Sequence, residues 1–544
     1  MSPSEARVME RACCLIGVDI GTGSARAGVF GSDGTMRASA KHDITVHHGP
    51  GAMAEQSSRE IWDAVCRAVR AAVAEAGVAP AQVMGIGFDA TCSLVVLGPG
   101  GAPMPVGLSE NPERDIILWM DHRAVDQAER INAGRHEVLD YVGGTISPEM
   151  ETPKLLWLKE NRPQVFDAAW QFFDLADFLS WKATGDLSRS TCTLTCKWTY
   201  LGHERRWDEG YFRAIGLGQL ADEGFVRIGQ RVVDPGTPLG DGLTAKAAAE
   251  LGLTAGTPVG SGMIDAHAGG IGTVGAAGDP AAAMGYVFGT SSCTMTTVAE
   301  PVFVPGVWGP YFSAMVPGAW LIEGGQSAAG AAIERLITSH PAAPQAAREA
   351  GELGRSLPEH LAALAAEAAP GLSETAELTR GLHVVPEFLG NRAPFADPHA
   401  RALIAGLGME QGTGALVALY LAGICGIGYG LRQILNAQAA AGAAVGQVVI
   451  SGGAGRSDLV RQLLADAGGV EVLSTRCEEP VLLGAAMLGG VASGCFANLR
   501  AAMAAMSQVG RSYAPAGGAI AAHHAARFRI FERLQAAARG IHGE

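Results

Sequence analysis

GVDIGTGSARAGVF, residues 17–30, is an apolar run interrupted by Asp19, a turn of small residues, and a second apolar run. The pattern predicts a β-hairpin, because two strand-like segments flank Gly21, Thr22, Gly23 and Ser24. A turn without bulky side chains can aim backbone N–H groups and two hydroxyls at phosphate oxygens. Asp19 would repel a bare phosphate, so its place there makes sense with Mg2+ in between, while Arg26 can pair with charge nearby. Read alone, the segment fits an ordinary surface hairpin as well as a phosphate loop. GYVFGTSSCTMTTVAE, residues 285–300, repeats the device as strand, Gly289-Thr290-Ser291 turn and strand. Two such turns, one per half, suggest a duplicated architecture with a nucleotide clamped between the halves.

The rest of the chain is consistent with that scale. It has 544 residues, which at about 150 per domain means roughly three to four units or two large domains with insertions. Charged residues make up 17% and AVILMFWYC 48%, enough apolar material for large cores. The net charge of −14 argues against broad nucleic-acid binding, which needs a basic face, yet leaves room for nucleotides held by backbone amides. The ten cysteines follow no zinc spacing, and Cys13/Cys14 and Cys192/Cys196 are the close pairs; free thiols in a reducing compartment are expected. The N-terminal stretch reads as a first strand rather than a signal peptide, and ALVALYLAGICGIGYGL, residues 415–431, as a buried helix rather than a membrane span. A cytoplasmic protein without membrane or nucleic-acid partners is therefore expected.

Periodicity places the elements. Trp62, Val65, Val69 and Val73 predict a helix from Ser58 to Glu75, and MGIGFDAT with SLVVLG a second strand pair. Residues 153–185 read as two helices whose Trp and Phe residues are core. The Ala-rich stretch 342–377 reads as a solvated helical insertion or lid-side helix, and residues 413–438 as one long helix. VVISGGAGRSDLVRQLLADAGG, residues 448–469, is strand, loop and helix, and EEPVLLGAAMLGGVASG, residues 478–494, a helix of small residues suited to close packing. Alternating strands and helices imply an α/β protein with ligands beyond the strand ends. A boundary near residues 269–275 divides the chain into 12–270 and 271–530.

Two further segments bear chemistry. Gly452 and Gly453 follow a strand and precede a helix, which suits close backbone approach to a base or ribose; the spacing is neither a Rossmann fingerprint nor a P-loop. In GSGMIDAHAGG, Asp265 ends an apolar run. It can serve as the carboxylate that accepts a proton from an attacking hydroxyl, or as a helix cap, and His267 reads as a packed or capping histidine.

The ordered set GVDIGTGSARAGVF, WMDHRA, PKLLWLKEN, DFLSWKATG, CKWTY, GSGMIDAHAGG, GTSSC, EGGQSA, GNRAPFADP, SGGAGRSD and EEPVLLGAAMLGG resembles the FGGY carbohydrate kinases, and among them the D-ribulokinase-type pentulose kinases. The resemblance spans about residues 15–493. It implies two duplicated ribonuclease-H-like domains of the actin, hexokinase and heat-shock-chaperone type, with ATP and sugar meeting in the interdomain cleft. Carried over residue by residue, it puts Asp265 as catalytic base and Asp19 near Mg2+ through water. Gly21, Thr22, Ser24 and Arg26 fall in the first phosphate loop, Gly289, Thr290 and Ser291 in the second, and Gly452 and Gly453 in the adenosine segment. Lys197 and Glu323 look like sugar contacts, and Asp89 falls in the first sugar-side loop. Asp121 and Arg123 either wall the cleft or form an internal ion pair. The implied activity is transfer of the ATP γ-phosphoryl group to a pentulose, D-ribulose first, with L-ribulose, xylulose or another ketose or polyol as alternatives. A homodimer is also implied. A nucleotide-driven binding protein of the same fold would need a peptide-binding appendix or polymerising surface, and a sugar-sensing repressor would need a helix-turn-helix segment ahead of Leu15; neither is readable.

Overall fold

A computed structural model of the chain describes residues 14–379 and 381–542. Cys13, and the first two residues of the expected 12–270 unit, lie outside them. The opening hairpin is β1 (Cys14–Ile20) and β2 (Ser24–Gly31), paired antiparallel, with β3 (Met36–Asp43) beside β2. The predicted first helix, α1, is Ser58–Ala76; the Ser57 hydroxyl accepts the Glu60 N–H at its start and left-handed Gly77 ends it. β4 (Val83–Ala90) and β5 (Val259–Ile264) run parallel on the other side of β1, giving the order β5-β4-β1-β2-β3. The strand that follows β4, Leu94–Leu97, belongs to a different five-stranded sheet, so the two do not form the expected pair. Thr91–Ser93 carry the chain from one sheet to the other.

Helices α2 (Thr191–Lys197) and α3 (Asp265–Val274) follow, and the second sheet begins with β6 (Ala283–Phe288), β7 (Ser292–Val298), β8 (Trp308–Phe312) and β9 (Trp320–Gln326). After α4 (Thr413–Ala440) come β10 (Gln447–Ser451), β11 (Glu471–Thr475), α5 (Pro480–Ala492) and β12 (Val509–Tyr513). The order is β8-β9-β7-β6-β10-β11-β12. Its middle five strands repeat the first sheet: three antiparallel strands, then two parallel to the central one. The two Gly-Thr-Ser turns occupy the same place in each copy, between the first and second strands.

α4 is long and apolar enough to cross a bilayer, but most of it is enclosed in the second core. Part of its cover comes from the Ala-rich stretch. Ala343–Glu352 and Leu357–Glu367 bury Ala346, Ala350, Leu361 and Ala365 on one face while Gln345, Arg348 and Glu359 are exposed on the other, so the helical stretch is solvated on one side and covers the core on the other. Helix α5, from the second half of the sequence, lies against the first sheet. A methyl group on Gly17 of β1 would run into the Leu482 carbonyl, so only glycine lets strand and helix backbones approach this closely. α3 crosses the boundary expected near residues 269–275 and packs on both α5 and β6.

Candidate active site

Parallel pairing aligns the ends of β1, β4 and β5. Asp19 lies opposite Asp89, and Asp89 opposite Met263, two residues before Asp265. Three acids are thereby gathered at one end of the first sheet, where ligands bind in such folds. Asp265 is the first residue of α3 and does not cap it; Ile264 is the cap residue, and Asp265 Oδ1 accepts the neighbouring Ala266 N–H at 2.7 Å. The side chain is half-buried. Burial first, then the charge of Asp19, raises its pKa to about 6, against the opposing pull of Ala266 N–H, His267 and Lys197. A carboxyl tuned this way is ionised at neutral pH yet basic enough to accept a proton.

Asp89, expected in the first sugar-side loop, is the next-to-last residue of β4, between Asp19 and Met263. It has no exposed surface, and neither carboxyl oxygen has a hydrogen-bond donor. Burial, then Asp19 and Asp265, push its pKa well above the carboxylate range. Of the three acids it is the one most strongly biased toward the protonated form, and it lies fully buried beside Asp19.

Arg26 pairs with nearby charge. In the hairpin register it faces Asp19 across the strands, so both side chains project from one face of the sheet. Its Nε donates to Asp19 Oδ2 at 2.7 Å and its Nη1 pairs with Glu479 Oε2 at 2.7 Å. The guanidinium is thus committed to two carboxylates and ties the first turn to the start of α5.

The first turn itself is braced from both sides. Gly21 N–H donates to the Ser24 carbonyl at 3.0 Å, Trp119 Nε1 to the Thr22 hydroxyl at 3.0 Å, and Gln56 Nε2 to the Thr22 carbonyl at 2.8 Å. Neither Trp119 nor Gln56 is singled out by the sequence, although WMDHRA contains the tryptophan.

In the second turn, Gly289 N–H reaches the Ser291 carbonyl at 2.9 Å. The carbonyls of Gly289 and Thr290 accept from Gly330 and Ala329 at 2.9 Å, at the start of helix Gly330–Thr338. Gly452 has φ +94°, and a side chain there would strike the Phe288 backbone one residue before this turn. The glycine loop after β10 therefore runs directly beside the second turn, with Ser451 opposite Val287 in the parallel register.

The two residues carried over for the sugar come from different halves. Lys197 ends α2; burial opposes its charge, but Cys92 and Glu323 outweigh it and its pKa is raised well above the usual value. Its ammonium lies 5.5 Å from the Trp308 ring centre, which Arg392 also reaches at 5.8 Å. Glu323 is on β9, where His267 Nε2 lies 3.3 Å from Oε2 and Cys293 Sγ donates to Oε1 at 3.3 Å. Burial would raise its pKa, yet His267, Lys197 and Cys293 hold it down at about 2. A fixed carboxylate beside an ammonium offers both acceptor and donor to a polyhydroxylated ligand.

Asp121 and Arg123 form an internal ion pair. Arg123 Nη2 meets Asp121 Oδ2 at 2.7 Å and Glu55 Oε1 at 2.9 Å, its Nη1 donates to the Val106 carbonyl, and Asp121 Oδ2 takes the Ala54 N–H at 2.7 Å. Both side chains are 0% exposed, and the pair braces Ala54 and Glu55 from within.

The chain matches two family signatures: the N-terminal domain of the FGGY family of carbohydrate kinases over residues 14–272, and the C-terminal domain over residues 284–493. It is 45% identical over 533 residues to an FGGY carbohydrate kinase domain-containing protein of Danio rerio, covering 95% of this chain and 96% of that one. A D-ribulokinase of Saccharomyces cerevisiae is 38% identical over 511 residues, 88% of this chain and 72% of the yeast protein. In three dimensions the chain superposes on xylulose kinase from Rhodospirillum rubrum with a TM-score of 0.79 at 23% identity, over 98% of this chain and 100% of the other. With duplicated sheets, a Gly-Thr-Ser turn in each, and both signatures in order, the chain belongs to the FGGY family of carbohydrate kinases and is a sugar kinase that takes ATP as its phosphoryl donor.

Proposed function

We propose that this kinase phosphorylates a pentulose, with D-ribulose as its substrate and the terminal O5 hydroxyl as acceptor. The observation that carries the reading is Asp265, a half-buried carboxyl with a pKa of about 6 that feels the charge of Lys197, which in turn helps to hold down the Glu323 carboxyl. The 38% identity to the yeast protein named a D-ribulokinase supports the choice of sugar.

In this reading Lys197 donates to sugar oxygens and Glu323 accepts from sugar hydroxyls, leaving the primary hydroxyl beside Asp265. Asp265 takes the hydroxyl proton as the oxygen bonds to the γ-phosphorus and the bond to the ADP oxygen breaks. The turns at Gly21–Ser24 and Gly289–Ser291 hold the phosphates, and Gly452 and Gly453 lie along the adenosine. Among the described residues no group of three or more His, Cys, Asp or Glu side chains is placed to hold a metal alone. The carboxylates of Asp19 and Asp265 at one end of the first sheet fit Mg2+ arriving on the nucleotide, since this ion commonly takes one or two carboxylates with waters and phosphates. Asp19, paired with Arg26 at the end of β1, is the carboxylate that would hold that ion, through water. Mg2+ would neutralise charge on the phosphoryl oxygens. Two domain units, 12–270 and 271–530, cytoplasmic residence and a homodimer belong to the same proposal.

The test is ADP release from Mg-ATP with D-ribulose, L-ribulose, D-xylulose, L-xylulose, ribitol, glycerol and D-fructose, scored as kcat/KM. D-Ribulose should lead. A higher value for another ketose would move the assignment to that sugar, and a rate equal to the sugar-free rate with all of them would overturn it. Light scattering against the 56.0 kDa chain mass checks the dimer.

A further inference from the structure

His267 follows Asp265 by two residues on α3, is 1% exposed, and has a partner at each ring nitrogen. Nε2 lies 3.3 Å from Glu323 Oε2, and Nδ1 lies 3.1 Å from Cys192 Sγ and 4.0 Å from Cys196 Sγ. Cys192 Sγ also accepts the Ile264 backbone N–H at 3.3 Å, immediately before Asp265. Burial disfavours the imidazolium, but Cys196 and Glu323 outweigh it and raise its pKa to about 10. Protonated at both nitrogens, the ring donates in two opposite directions and has one orientation. The direction toward Cys192 ends in the first half, at the helix that also carries Lys197. The direction toward Glu323 ends in the second half, on β9.

We propose that His267 is a positioning residue for acceptor binding: it fixes the Glu323 carboxylate of the second half at a set place relative to Lys197 and Asp265 of the first. The proposal rests on the reading of Glu323 as a sugar contact. A histidine that merely filled the core would need neither paired nitrogen. Here the same ring touches the carboxylate that meets the sugar and the thiol that holds the backbone leading into Asp265. With Nε2–H removed, Glu323 would keep the Cys293 thiol and the Lys197 charge but lose its strongest directional partner.

The full-length protein tests this with His267→Gln, His267→Asn, Glu323→Gln and the double variant His267→Asn/Glu323→Gln, assayed for KM and kcat with D-ribulose and with ATP. The Gln amide can still reach Glu323, whereas the Asn amide reaches only the Cys192 side. His267→Asn should raise the D-ribulose KM about tenfold or more, the scale of a lost charge-assisted hydrogen bond, with a much smaller change in the ATP KM. His267→Gln should recover most of that loss. In the Glu323→Gln background, His267→Asn should add little, because the group it positions is already altered. The positioning role is overturned if Asn and Gln behave alike, if both KM values rise together, or if the two changes multiply independently. If Glu323→Gln leaves the D-ribulose KM unchanged, the sugar-contact reading fails and the positioning role with it. If that variant raises KM and His267→Asn does not, the positioning role alone fails.

Discussion

Asp265 sets the sign of the pH dependence. A base must be ionised to accept a proton, and this carboxyl loses its own at about pH 6. Turnover should therefore rise with pH through about 6 and fall about tenfold for each unit below it. Replacing Asp265 with Asn should cut kcat by about 10²–10⁴-fold while the dissociation constant for ATP stays close to wild type. Steady-state rates between pH 5 and 8, with nucleotide titration of the variant, check both. A pH-independent rate across that range would remove Asp265 from the role. Lys197→Met should act differently. It removes the donor beside Glu323, so the sugar KM should rise by at least about tenfold, since a hydrogen bond from a charged group contributes ~1.5–3 kcal/mol. Asp89 was legible as an acid near the site, but the upward shift of its pKa was not. That depends on the two carboxyls that face it and on the absence of water around it.

Among the elements, α5 meets the first sheet and α3 along a seam of small residues. Its side-chain volumes are small because the backbones themselves are in contact. Gly17→Val should push β1 away from Leu482 and destabilise the protein by about 1–3 kcal/mol or more, seen as a lower thermal midpoint and an earlier denaturant midpoint. A midpoint equal to wild type would show that the seam can relax. The helix-forming periodicity of α1 and nearly the whole length of α4 could be read directly from residue spacing, the ends differing by one and two residues. The strand after β4 could not. Alternation identifies a strand but says nothing about which sheet will pair with it, and Leu94–Leu97 pairs with Gln171–Asp174 far along the chain.

For the whole molecule, the two halves of the sequence do not correspond to two independent cores. α5 from the second half covers β1 and β4, and Leu482, Leu483 and Leu488 share a buried cluster with Leu15 and Phe30. A fragment ending after α3, residues 1–275, would leave that face of the first sheet uncovered. It should lack a cooperative thermal transition and bind a hydrophobic dye, whereas the full chain should melt cooperatively. A sharp, reversible melt of the fragment would show that α5 is dispensable for the first fold.

The sequence by itself determined the strand-turn-strand device and its repetition, the α/β class, the ordered family motifs and the identity of Asp265, Lys197 and Glu323 as the residues to examine. Those signals are local: turns need small residues, strands and helices have fixed periods, and motifs occupy short windows. Only the tertiary structure decided what each charge meets. Arg26 finds Glu479 across 453 residues, Asp121 and Arg123 close on each other inside the wall, and His267 joins Cys192 to Glu323. Partners and protonation states are set by distance and by exclusion of water, which the folded chain creates and no window of sequence contains.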